Sequence, residues 1–209
     1  MRPVARPPYR TLAVAAACVA AAAADALSPL RYDRVGILGG EAWRLLSAHL
    51  VHASATHLVW DVAGLLAIGL LLEESLGDRY WTALLVSALT ISFGLLFFDP
   101  HLAAYCGLSG VLNGLWVAGS LAAAGRERRR GRVAFTWFYR SCLGVLAAKL
   151  VVEGVMVQGV FTDPVSLGAD PVPHAHVLGA LGGLLAAVAF PGRSYNPGVG
   201  EDRLPQATA

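Results

Sequence analysis

The chain of 209 residues is 56% hydrophobic and 14% charged, with a mean hydropathy of +0.58, where an ordinary soluble domain is about 25% charged. Water is therefore excluded as the solvent of most of its surface. The formal net charge of +2, carried by clustered arginines, excludes a nucleic-acid-binding face. Three cysteines do not make a disulfide framework, and Cys18 and Cys142 fall in apolar runs where a thiol acts as a small hydrophobe.

Crossing ~30 Å of hydrocarbon takes about 20 mostly apolar residues, and the pattern predicts one all-α integral membrane domain over 1–209 with six such spans. The first, 11–27, follows Arg2, Arg6 and Arg10. Its alternative is a secretory signal peptide with Ala24-Asp25-Ala26 near the end, but the run lacks a polar closing region. Residues 28–55 form a long connection with Arg31, Arg34, Glu41, Trp43 and Arg44 among apolar neighbours, read as lying in the membrane interface, its arginines at the lipid head groups. The remaining spans are 56–72, 80–98, 108–124, 133–160 and 174–190, and 191–209 reads as a flexible tail.

Lys and Arg accumulate in short cytoplasmic loops, and the connection after the fourth span reads GRERRRGR. With that loop inside, both termini and the turn holding Arg79 are cytoplasmic, while the loops around 99–106 and 161–173, which lack Lys and Arg, lie outside. The second, fourth and sixth spans then begin on the outer side. Their first turns carry His52 and His57, Ser109, and His176.

A serine hydroxyl is a weak nucleophile until a base takes its proton, and histidine is the usual base near neutral pH. Ser109, within Gly107-Leu108-Ser109-Gly110, and His176, within HAHVLGALGG, are expected at matching depth. Free N–H groups at the start of the fourth span offer part of an oxyanion hole. Gly110 and Gly114 face Gly179 and Gly183 as two small-xxx-small stripes that permit close helix packing. The plainer alternative for Ser109 is a hydrogen bond to a neighbouring helix. His174 is an alternative base, and Cys106 a rival nucleophile.

His57 and Asp61 lie four apart on one helix face, as an oxyanion support or as a structural pair joining the second span to the fourth. Lys149 and Glu153 share the same spacing and can neutralise each other within the helix. Glu73 and Glu74, a membrane thickness from Ser109, read as structural or interfacial.

These residues resemble the rhomboid family of intramembrane serine proteases. The resemblance runs through Glu41-Ala-Trp43-Arg44, His52 and His57, Glu73 to Gly77, GLSG at Ser109 and AHVLGALGG at His176. It implies a six-helix rhomboid-like bundle with Ser109 as nucleophile, His176 as base, and His57 helping to hold the oxyanion, with Gly107 and His52 in support. Two departures stand out: Asp61, where many rhomboids have an asparagine that donates to the oxyanion, and Asn113, where many have an aromatic residue stacked on the histidine. An ionised Asp61 would repel an oxyanion, so it is protonated, or braces His57, or leaves the task to His57 and the backbone.

Within the family the compact size, GLSGVLNG and Lys149-Leu-Val-Val-Glu153 look most like rhombosortases. That implies a bacterial inner-membrane enzyme, active toward the periplasm, that cleaves membrane-anchored proteins at C-terminal Gly-Gly signals, with Glu153 and Lys149 as candidates for substrate recognition. No cofactor or metal is called for. Competing readings are a catalytically inactive rhomboid-like protein that binds membrane clients, and a metal or haem protein using His49, His52, His57, His174 and His176.

Overall fold

The computed structural model describes residues 7–156 and 172–190. Helix α1 spans Tyr9–Ala23, and short helices α2 (Leu27–Leu30), α3 (Arg34–Leu38) and α4 (Arg44–Ser47) lead through a 3₁₀ turn at Ala48–Leu50 into α5 (Ala55–Leu76). Then come α6 (Arg79–Phe98), α7 (Ser109–Arg129), α8 (Val133–Met156) and α9 (Pro173–Ala189). Helices α5, α6 and α8 are each long and apolar enough to cross a bilayer, and α1 and α9 are shorter apolar helices. The predicted tail 191–209 and the predicted end of the fifth span, 157–160, lie outside the described residues.

The first predicted span ends early, at Ala23, because Asp25 adopts φ +50°, the left-handed region that breaks an α-helix. The fourth runs on to Arg129. Arg126, Arg128 and Arg129 occupy its last turn, where the helix dipole favours cations. The buried Glu127 carboxylate gathers the run, with Arg130 at 3.1 Å and Arg132 at 3.4 Å.

The connection 28–55 is built as a folded unit, and two of its arginines, Arg34 and Arg44, are engaged by protein. Arg44 pairs with Glu41 and donates to the carbonyls of Ser28 and Arg31, both at 2.9 Å. Arg34 donates to the Leu96 carbonyl at 2.9 Å. The sequence reading contained no strand, yet Tyr32 and Asp33 (β1) pair antiparallel with Tyr105 and Ala104 (β2), tying this connection to the segment just before Ser109.

Helix α7 packs against α5, α6, α8 and α9 and forms the centre of the bundle. Its contact with α9 is made possible by glycine. A Cβ at Gly179 would fall on the carbonyl oxygen of Gly110, and one at Gly183 on that of Gly114. Two carboxylates of α5 cap neighbouring helices at opposite ends. Glu73 accepts the N–H groups of Arg10 and Thr11 at 3.1 and 2.9 Å, closing the start of α1. Asp61 does the same for α7. Such caps satisfy helix-end donors that lack an intrahelical partner, at about 1 kcal/mol each.

Candidate active site

Ser109 opens α7 and His176 lies in the first turn of α9. Their helices touch along the glycine stripe, which brings Ser109 Oγ to 2.9 Å from His176 Nε2. That is hydrogen-bond distance for a hydroxyl and its base. His174, one residue before α9's Ala175, turns elsewhere: its ring pairs with Asp99 at 3.0 Å and is half exposed.

The other nitrogen of His176 is also engaged. Nδ1 lies 2.9 Å from Glu153 Oε2, and the same oxygen accepts from Lys149 Nζ at 2.8 Å. The expected intrahelical pair is therefore present, but it is joined to the histidine. The Glu153 side chain is only 2% exposed. Asn113, one turn after Ser109, donates from Nδ2 to the Ser109 carbonyl at 2.9 Å, and its Oδ1 accepts from Lys149 at 3.4 Å. A ring of hydrogen bonds thus runs from Ser109 through His176, Glu153, Lys149 and Asn113 back to Ser109.

On the opposite side of Ser109 stands α5. Its first turn is capped by Ser54, whose hydroxyl accepts the His57 N–H at 3.1 Å. One oxygen of Asp61, Oδ2, accepts the N–H groups of Leu108 at 2.7 Å and Ser109 at 3.1 Å. His52 Nε2 lies 3.1 Å from that oxygen and His57 Nε2 3.5 Å. Asp61 thus reaches His52 more closely than the His57 it was expected to brace. Gly107 closes this pocket with φ +116°, and a Cβ there would lie 2.6 Å from His57 Nε2. Both its conformation and its neighbours require glycine.

Two further residues hold the loop. His49 Nε2 lies 3.2 Å from the Ala88 carbonyl oxygen and 3.1 Å from Ser92 Oγ. Burial pulls its pKa down to about 4, so it serves as a neutral hydrogen-bonding ring. Tyr105 donates to the Gly107 carbonyl at 3.4 Å and stands edge-on to His49. Neither contact was read from the sequence; the only signal was a polar residue recurring in the connections flanking apolar spans. Cys106 has its thiol pKa raised, chiefly by burial and further by Asp61, which disfavours the thiolate.

Among the described residues no three His, Cys, Asp or Glu side chains converge into a metal-holding group. His49, His174 and His176 are each committed to separate partners.

The Rhomboid domain family model matches residues 39–193. The chain belongs to the rhomboid family. No curated protein matches it closely enough to report as a relative. The matched segment takes in the folded connection from its Glu41–Arg44 pair, the α5 pocket, Ser109, Glu153 and His176. With its apolar helices, this rhomboid is a multi-pass membrane protein.

Proposed function

We propose that this rhomboid is an intramembrane serine endopeptidase with a Ser109–His176 dyad. The observation that carries the reading is the 2.9 Å contact between Ser109 Oγ and His176 Nε2. As Oγ attacks the scissile carbonyl, its proton passes to Nε2. The C–N bond then breaks as the leaving amine takes that proton, leaving an acyl-serine. Water attacks the acyl carbon, gives a proton to Nε2, and the serine leaves with it. Negative charge on the tetrahedral oxygen falls to the N–H groups of Leu108 and Ser109 and to His57, with His52 and Gly107 shaping the pocket.

In the resting protein Asp61 holds those two N–H groups. The scissile oxygen enters only as the carboxylate withdraws toward His52. This occupancy also favours a second reading, a rhomboid that binds membrane clients without cleaving them.

The finer reading is that of a rhombosortase-like enzyme of the bacterial inner membrane. It has six spans, both termini cytoplasmic, and the site near the periplasmic face, where it cleaves membrane-anchored proteins at C-terminal Gly-Gly signals. Its support is the sequence pattern, together with a site at the end of the bundle opposite the arginine run of α7. The buried Glu153, bonded to His176, fits the positioning of the base better than the recognition of substrate.

The test is fluorophosphonate labelling of membrane-embedded protein. Wild type is expected to label, and Ser109→Ala and His176→Ala at matched folded amounts to lose at least 100-fold in rate. A folded wild type that does not label selects the client-binding reading.

A further inference from the structure

We infer that Glu153 is a positioning residue for His176, extending the serine–histidine dyad to a Ser109–His176–Glu153 relay borne on three helices. The inference rests on the protease reading above and goes beyond it, since a dyad leaves Nδ1 without an assigned partner.

The argument begins with the proton on the imidazole. A neutral histidine carries one N–H, on either nitrogen, and the partner of one nitrogen decides the state of the other. General-base catalysis needs Nε2 bare and facing the serine hydroxyl. A carboxylate only accepts, so Glu153 Oε2 at 2.9 Å from Nδ1 requires the proton there. Nε2 is then left with its lone pair directed at Ser109 Oγ, 2.9 Å away. When Oγ forms its bond to the carbonyl carbon, the hydroxyl proton moves to Nε2 and the ring becomes an imidazolium. The carboxylate of Glu153, already bonded to that ring, stabilises the new charge in a setting that offers little water. The proton leaves Nε2 with the departing amine, and Glu153 stays ionised throughout.

The alternative is that Glu153 serves only to neutralise Lys149. That account needs the 2.8 Å contact to Lys149, but gives no reason for the same oxygen to meet Nδ1. Lys149 completes the arrangement by balancing the carboxylate while the imidazole is neutral. This avoids an uncompensated charge in an apolar interior. The lysine also donates to Asn113, which holds the Ser109 carbonyl, so the group that orients the base is linked to the helix that carries the nucleophile.

The test combines labelling kinetics with the tautomer of His176. Fluorophosphonate labelling is timed for wild type, Glu153→Gln, Glu153→Asp and Ser109→Ala. In parallel, ¹⁵N NMR of histidine-labelled protein, assigned with His176→Ala, reports which ring nitrogen carries the proton. Wild type is expected to hold the proton on Nδ1. Glu153→Gln, whose amide both accepts and donates, is expected to label at least tenfold more slowly and to show a substantial Nε2–H population. Glu153→Asp is expected to restore both the rate, within about tenfold of wild type, and the Nδ1–H form. A labelled wild type with a Glu153→Gln variant unchanged in rate and tautomer overturns the inference and leaves the protease standing. A wild type that fails to label removes the protease reading and the catalytic use of Glu153 with it. Glu153→Gln slowed as much as Glu153→Asp, with His176 holding Nδ1–H in both, also overturns it, because the loss is then structural.

Discussion

At the residue scale the decisive atom is Asp61 Oδ2, which accepts the two N–H groups that the proposed mechanism assigns to the oxyanion. Two unit charges about 4 Å apart repel by about 4 kcal/mol at an effective dielectric of 20, so a carboxylate here opposes the transition state. Asparagine keeps the shape, accepts one N–H through its oxygen, and offers an N–H of its own. Asp61→Asn is therefore expected to raise the second-order rate of fluorophosphonate labelling by about tenfold. A slower variant would show that capping α7 outweighs the electrostatic cost. The meeting of Ser109 with His176 and the nearness of His52, His57 and Asp61 to Ser109 were legible in the sequence, from the placing of these residues at helix starts of matching depth. The Glu153–His176 contact was not, because residues 23 apart on different helices meet by a rotation of α8 that no local pattern encodes. Asn113 is similar. It read as a missing aromatic ring; its bond to Ser109 lies within α7, and its bond to Lys149 needed α8 in place.

At the element scale, the α7–α9 seam sets the distance between Ser109 and His176. Its glycines are required by contact, since no side-chain rotation relieves a Cβ pressed on a backbone carbonyl. Gly179→Ala is expected to lower stability by about 1–3 kcal/mol, the usual cost of overpacking, and to abolish labelling by parting Ser109 from His176. Gly144→Ala on α8 provides the comparison. A Cβ there meets nothing within 4 Å, and alanine gains up to about 1 kcal/mol in helix propensity, so stability and labelling should hold or rise. Thermal unfolding in detergent reads both. The apolar helices α1, α5, α6, α8 and α9 were legible from apolar run length, and the small-residue stripes from their four-residue repeat. The ends were less so. The break at Asp25 depends on a backbone conformation, and the extra turn of α7 depends on arginines gathered by Glu127. The β1–β2 pairing joins segments some 70 residues apart through only two residues each, too short for any periodicity to show.

At the scale of the whole molecule, the arginine run of α7 and the Ser109–His176 pair occupy opposite ends. The arginines of the α7–α8 turn close the bundle at one end, while Ser109, His176 and Asp61 lie together at the other. The proposed topology follows from placing the arginine end in the cytoplasm. With Cys18, Cys106 and Cys142 first replaced by alanine, a thiol at Arg130→Cys should react with an impermeant maleimide only after the membrane is opened. One at His101→Cys should react in intact cells, and the reverse pattern would invert the molecule. The order of these parts along the chain has a consequence in time. His176 follows Ser109 by 67 residues, and translation proceeds at roughly 5–20 residues per second. For about 3–13 s after Ser109 is made there is no His176 beside it. On the proposed mechanism a nascent chain stalled at the ribosome before α9 holds an inert hydroxyl, so neighbouring membrane proteins are safe until the last helix is in place.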